Sequence, residues 1–290
     1  GYKKNIIEGK VFNKKFRIKS FDNKKKIDFK LFKSGISAKI NFVKVDETRL
    51  KVGTLKAKIL DSNLKLDFIY NKDTFKIDNS FYRSRDLAFD SDGLIELKPF
   101  FKLNLSSTIK NLNLKNINLN YLSYLLNSKD LIKKINLENE IVFNSKKFSS
   151  VIIDNLNIKT NLAYGRMFIE KEFSISKSVF QCDANVNLIE EFPVLNFNCQ
   201  LLSKNKKELL KKLKIKNDFN NKELKLRMIG NLNIINKKIN FNHIQMDNTY
   251  KASKEDLNFF KKSFENIIFD EDFLSMFQIV KLRDYLNEIL

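Results

Sequence analysis

Between Leu64 and Ile109 apolar side chains fall at every second position: Leu64, Leu66, Phe68 and Tyr70, then Phe75 and Ile77, Leu87 and Phe89, Ile95 and Leu97, Leu103 and Leu105. A period of two belongs to strands with one dry face and one wet face. Asn71-Lys72-Asp73 and Ser91-Asp92-Gly93 break the alternation with turn-forming residues, so the stretch predicts consecutive antiparallel strands joined by short loops. The pattern is already running at Phe16 and Ile18, and it passes through Ile27, Phe29 and Leu31, then Ile36, Ala38, Ile40 and Phe42. It slips phase at Gly53, between Val52 and Leu55, which predicts a β-bulge at that glycine. The result is an antiparallel meander over residues 1–117.

The period then changes. Leu119, Leu122, Leu125, Leu126 and Ile132 are spaced for one face of a helix over 119–134, with Asn118 or Asn120 as its cap, inside a helical segment 118–135. Alternation returns in a second β block over 136–250, with Leu137, Ile141 and Phe143, then Leu156, Ile158 and Leu162, then Met167 and Ile169, Phe173 and Ile175. The clearest hairpin lies between Val179 and Leu202. A turn near Glu190-Glu191 sets Phe180 opposite Leu201, Cys182 opposite Cys199, Ala184 opposite Phe197 and Val186 opposite Leu195, and Glu-Glu chemistry favours a loop longer than two residues. Leu209, Leu210 and Leu213 predict a short amphipathic helix within 204–216. Ser253 with Asp256 fits a helix start, and 251–290 closes the chain as a cap of two amphipathic helices. The predicted fold class is mainly β: a long curved antiparallel sheet, groove-like, with a short mid-chain helix and two C-terminal helices, forming one continuous structural unit.

The chain carries 54 Lys and Arg against 34 Asp and Glu, a net charge of +20. Lysines such as Lys56, Lys58, Lys65 and Lys76 alternate with apolar residues along the chain, as on the solvated face of a sheet, and charged edges also discourage edge-to-edge pairing. Without clustering on one face they imply no specific nucleic-acid partner. The Phe, Ile, Lys and Asn bias, with 27 Phe and no Trp, follows AT-rich codon usage as much as function. No apolar run reaches the length of a membrane-crossing helix. The strands read as mostly shorter than the roughly nine to eleven residues of an outer-membrane barrel strand, their outward positions are rich in lysine, and helices end the chain. The chain starts at Gly1 without a methionine, which is expected of a fragment or processed chain that has lost an upstream anchor or secretion signal.

Catalytic constellations are missing from the sequence. The single histidine, His243, has neither cysteine near it in sequence, and reads as a surface or hydrogen-bonded structural side chain rather than a ligand or a base. Glu190-Glu191 and Asp270-Glu271-Asp272 sit where turns or helix junctions are expected. The expectation is no enzyme, no metal and no cofactor. Cys182 and Cys199 admit two readings: free thiols acting as small buried hydrophobes, or a cross-strand disulfide in an oxidising compartment.

Tyr70 to Phe101 resembles the AsmA-like C-terminal region, in which a small-polar S-x-G precedes a rising strand with a Pro-Phe end; Ser91-Asp92-Gly93 and Pro99-Phe100-Phe101 fill those places. The segment LNLKNINLNYL with its following helix, and the block ending FPVLNFNCQL, are similar to that family's layout. The glycines usual in such repeats are mostly Asn or Lys here. Proteins resembling AsmA and TamB are β-groove structures implicated in moving phospholipids between inner and outer membranes or in maintaining the outer membrane. The resemblance implies a periplasmic protein, anchored to the inner membrane through a segment absent from this chain.

Two coverings of the apolar face are open. The sheet folds over its own Phe, Leu and Ile as a closed core, making a β-rich periplasmic scaffold or interaction module without lipid. In the other, the sheet stays open as a gutter and phospholipid acyl chains supply the missing partner at about 0.8 kcal/mol per buried methylene. With the resemblance, the gutter is the expected arrangement, lined by Leu66, Phe68, Phe75, Ile77, Phe89, Leu103, Leu105, Ile141, Phe143, Ala184, Val186, Leu195 and Phe197. Membrane contact then comes through the upstream segment or through the terminal helices, with Lys261, Lys262, Lys281 and Arg283 near the headgroups.

Overall fold

Alternating sequence becomes paired strand along most of the chain in its computed structural model, which describes residues 5–11, 13–22, 25–45, 50–85, 87–98, 101–112, 129–144, 152–215, 223–247, 249–268 and 279–289. The protein is mainly β, and it divides into two units, Gly1–Ile117 and Asn118–Leu290. The first unit is a meander of β1 (Ile6–Val11), β2 (Lys14–Phe21), β3 (Lys26–Leu31), β4 (Ile36–Val45), β5 (Lys51–Ile59), β6 (Ser62–Tyr70), β7 (Thr74–Arg83), β8 (Leu87–Glu96) and β9 (Lys102–Leu112). Each strand pairs antiparallel with the next. The turn expected at Asn71-Lys72-Asp73 forms: the Asn71 Oδ1 accepts from the amides of Asp73 at 2.9 Å and Thr74 at 2.7 Å, and the Asn71 amide donates to the Thr74 carbonyl.

Two expectations are corrected, and the bulge expected at Gly53 is found with its extra residue on the facing strand, for one physical reason. Ser91-Asp92-Gly93 is not a turn but the middle of β8, where Gly93 pairs with Ile77 on one side and Leu105 on the other. The irregularity sits in β7, which carries an extra residue between Ile77 and Ser80, with Asn79 at a positive φ of 46° and its amide bonded to the Asp92 carboxylate. At Gly53, likewise, the extra residue is not in β5: register jumps from Phe42 to Lys44 in the facing strand, leaving Val43 out toward solvent. Gly53 itself stands on the apolar face between Phe42 and Phe68, where a Cβ would lie 2.9 Å from the Phe68 ring and 2.5 Å from the Asn41 carbonyl. Finally, β4 to β16 run nine to eleven residues each, so the shortness expected of the strands is overturned. Bulges interrupt the alternation of side chains without ending the hydrogen-bonded ladder.

The second unit opens with α1 (Lys129–Ile132); the rest of the helix expected over 119–134 lies outside the described residues. A second meander follows: β10 (Asn136–Asn144), β11 (Asn155–Ala163), β12 (Arg166–Ile175), β13 (Ser178–Asn187), β14 (Val194–Ser203), β15 (Leu224–Asn233), β16 (Lys238–Met246) and the short β17 (Tyr250–Lys251). Again each strand pairs antiparallel with the next. The 179–202 hairpin has the expected register, with Phe180 facing Leu201, Cys182 facing Cys199 and Ala184 facing Phe197. Its loop spans 188–193, longer than two residues, as the Glu-Glu pair requires.

Helix α2 (Lys206–Leu213) links β14 to β15, and its amide of Glu208 is capped by the Asn205 side chain at 3.0 Å. Leu209, Leu210 and Leu213 are buried. Two helices finish the chain, α3 (Lys254–Ile268) and α4 (Ile279–Ile289); the start expected for the last helix near 271 lies outside the described residues. Ser253 and Asp256 form a reciprocal capping box, the Asp256 amide donating to Ser253 Oγ at 3.1 Å and the Ser253 amide to Asp256 Oδ2 at 2.9 Å.

Candidate functional site

In the second unit, register sorts the apolar face of the sheet into five rows that cross the strands, the outermost of them short and buried: Ile175, Ser178, Ser203 and Leu224. The next row runs Phe143, Leu156, Phe173, Phe180, Leu201 and Leu226, and all six are buried. At the other ends of the strands Leu162, Val186, Leu232 and Ile239 are buried too, and Leu137, Met167 and Leu195 of the same row are half-buried. Leu162 and Val186 pack there with Leu188, Ile234 and Ile132 of α1. The two rows between differ: Ile141, Ile158, Lys171, Cys182, Cys199 and Met228 form one, and Thr160, Ile169, Ala184 and Phe197 belong to the other, and these are only half-buried. A half-covered floor between two dry walls is the geometry of a trough lying across β10 to β15.

At β16 the floor ends. Phe241 is buried beneath the terminal helices, edge-on to Phe264 at 5.8 Å and stacked 6.5 Å from Tyr285, which itself meets Phe264 edge-on at 5.1 Å. The Glu265 carboxylate of α3 fixes this plug to the strand by accepting from the Ile239 amide at 3.1 Å and from Lys238 Nζ at 3.2 Å. Burial pushes the Tyr285 phenol up, and its hydroxyl is buried without a hydrogen-bond partner among the described residues. Gly230, between Phe197 and Phe241, repeats the device seen at Gly53: a Cβ would come within 2.7 Å of the Phe197 ring and closer still to the Asn240 carbonyl, beside a bulge in β16.

Lys171 is the residue that the sequence reading missed. It occupies a floor position between Ile158 and Cys182, with its ammonium 5.0 Å from the centre of the Phe173 ring. Burial brings its pKa down to about 8. The signal was present in the alternation Met167, Ile169, Lys171, Phe173, Ile175, where a charge stands in an apolar slot. Beside it Cys182 and Cys199 are joined as a disulfide across a Cα separation of 4.1 Å.

In the first unit, the apolar face carries Leu55, Leu66, Phe75, Phe89, Ile95, Leu103 and Leu105 half-buried, with Phe68 and Ile77 buried among them. Phe68 stacks on Phe75 at 5.1 Å and meets Phe42 edge-on at 5.9 Å. Ser80, Ser91 and Ser107 lie side by side across β7, β8 and β9 and form a hydroxylated strip on the same face. The residues expected to line a groove therefore all lie on the apolar face of their own unit. They are not equally placed, because Phe143 at 1% exposure and Val186 at 3% belong to the walls.

The opposite faces are polar. Asn185, Asn196, Asn231 and Asn240 stand in register across four strands, and a shallow depression of about 510 Å³ is lined by Phe168, Glu170, Asp183, Asn185, Asn196 and Asn198. In the first unit Asp67 is held below the usual carboxylate range by hydrogen bonds from Lys65 and Thr54. His243 is half-buried, its Nε2 3.2 Å from the Gln245 side chain. Among the described residues no group of three His, Cys, Asp or Glu could hold a metal ion, and no helix is long and apolar enough to cross a membrane.

Fold and site together define an antiparallel β meander with a partly uncovered apolar face. No family model, curated protein or solved structure matches this chain.

Proposed function

We propose that this protein is a non-enzymatic acyl-chain carrier, whose apolar floor holds phospholipid or another lipid for transfer between inner and outer membranes or for outer-membrane maintenance. The observation that carries this reading is the contrast in the second unit between walls that the chain buries with its own residues and a mid-strand floor that it leaves half-covered. A closed core would bury the middle of its strands most deeply and leave the ends wetter; here the order is reversed. The span from β10 to β15 is about 24 Å at ~4.8 Å per strand, longer than the ~15 Å of one leaflet's acyl chains. Hydrocarbon laid there replaces water at about 0.8 kcal/mol per methylene and needs no directional contact.

A cross-strand disulfide supports an oxidising, periplasm-like location. The resemblance of Tyr70 to Phe101 to the AsmA-like region points the same way, although the Ser91-Asp92-Gly93 part of that motif lies within a strand rather than before one. Membrane contact through the terminal helices or an upstream segment belongs to the same proposal. Gentle purification followed by native mass spectrometry and lipid extraction tests it: co-purifying phospholipid or fatty acid is expected, and a chain that is monomeric, folded and free of lipid would favour the scaffold alternative.

A further inference from the structure

We infer that the polar face of β2 to β6 in the first unit docks on an anionic bilayer surface, with Leu60 at its rim entering the headgroup layer. The inference goes beyond the carrier reading and does not rest on it. Register gathers cations that are scattered in the sequence: Lys39, Lys56 and Lys65 stand directly opposite one another across β4, β5 and β6, and Arg17 stands opposite Lys30 across β2 and β3. Lys58, two residues along β5 from Lys56, lies on the same face between Ser37 and Asn63. All of these but Lys65 are exposed. Acids on this face are fewer. Glu8 pairs with Arg17, Asp67 holds the Lys65 ammonium at 2.7 Å, and Asp28 stands between Lys19 and Lys39. No acid stands across the ladder from Lys56 or Lys58.

Like charges set opposite each other destabilise a sheet. Keeping a face wet does not require them. On the polar face of the second unit Lys159 stands between Glu140 and Glu170, with Asp183 and a row of asparagines beyond, so the excess of cations is local to β2 to β6 rather than a habit of the whole chain. Neighbouring strands are ~4.8 Å apart, well inside the Debye length of ~10 Å at ~0.1 M salt, and these cations therefore act together on an anionic surface, which also relieves their mutual repulsion. Leu60 makes that surface a bilayer rather than a nucleic acid. It is 64% exposed in the turn between β5 and β6 with a φ of 53°, a left-handed position that Gly or Asn takes at less cost. Its amide donates to the Gly35 carbonyl at 3.0 Å and so ties this turn to the one between β3 and β4. There Phe32 is half-buried, with Arg17 and Lys30 at 5.4 and 5.6 Å from its ring centre. Apolar side chains bordered by cations fit a membrane interface, where the former enter the headgroup region and the latter stay at its surface.

The test is co-sedimentation of the full chain at ~0.1 M salt with vesicles of phosphatidylcholine alone or of phosphatidylcholine mixed with phosphatidylglycerol. The wild type is expected on the mixed vesicles and not on the neutral ones. Lys39→Gln, Lys56→Gln and Lys58→Gln together should weaken binding about a hundredfold, at ~1 kcal/mol per cation near the surface, and Arg at the same three positions should keep it. Lys207→Gln, Lys211→Gln and Lys212→Gln together remove as much charge from α2 and should leave binding intact. Leu60→Asn, which suits the left-handed turn, should weaken binding about tenfold with no change in charge. Urea midpoints no lower than that of the wild type show that these variants are folded. No binding to the mixed vesicles, binding that survives the first triple, an equal loss from the α2 triple, or Leu60→Asn without effect overturns the docking face. Tighter binding to a DNA duplex than to the mixed vesicles at the same salt overturns it as well. Docking needs no cargo, so a chain that purifies free of lipid yet docks sinks the carrier reading and leaves this one standing.

Discussion

A lysine ammonium set among Ile158, Phe173 and a disulfide is held there against its own hydration, and that has a consequence for stability. In the unfolded chain Lys171 titrates near the ordinary 10.5, and in the folded chain near 8. Between those values the unfolded chain holds the additional proton, so stability rises with pH across the window; below about 8 the full penalty applies. Lys171→Met has no such group. The denaturant midpoint of the wild type should therefore climb relative to that of Lys171→Met as pH goes from 8 toward 10, and parallel pH curves would refute a desolvated lysine. The same residue shows how far local pattern can be read. The alternation of Met167, Ile169, Phe173 and Ile175 carries the signal for Lys171 on the apolar face, yet only the pairing with Ile158 and Cys182, together with half-burial, distinguishes it from a lysine at a wet edge.

At the scale of the element, bulges and strand glycines govern where the ladder bends. Gly230 lies under the Phe197 ring and against the Asn240 carbonyl, so Gly230→Val must displace one of them. A loss of about 1–3 kcal/mol, the usual cost of overpacking, should appear as a lower urea midpoint with an unchanged slope. An unchanged midpoint would mean that the ring moves aside freely. Strand existence and hairpin register were legible because period-two patterning and apolar cross-strand pairs are local properties, as Phe180 with Leu201 and Ala184 with Phe197 illustrate. Bulge placement was not. A phase slip marks that one strand has gained a residue relative to its partner, and the sequence of Gly53 carries no information on whether that residue is its own or, as observed, Val43 across the ladder. Ser91-Asp92-Gly93 misled for a related reason: turn propensity is weaker than two flanking ladders that already fix the backbone as extended.

Across the whole molecule the two units differ in how completely they cover their apolar faces. The second has a buried row at one end of its strands and a mostly buried one at the other, with α1 packed at that end and α3 and α4 at its last long strand, whereas most apolar-face residues in β1 to β9 are half-buried. Fewer buried contacts mean cheaper local opening. Hydrogen exchange should find the amides of β11 to β16 protected longer than those of β1 to β4; equal protection throughout would show that coverage of the face does not set local stability here. The disulfide adds to the contrast, because it closes a loop of 17 residues inside the better-covered unit.

Sequence alone indicated that this chain makes antiparallel strands with one apolar face, that Cys182 stands opposite Cys199 with the bridge left open, and that helices follow the last strands, because each follows from periodicity and near-neighbour pairing. Tertiary structure decided which rows of that face become wall and which remain floor, where a charge sits on the floor, and which end is plugged. Those outcomes depend on helices returning over strands far from them in the chain. Burial is a property of what comes to lie above a residue, and alternation records only the side of the sheet on which it stands.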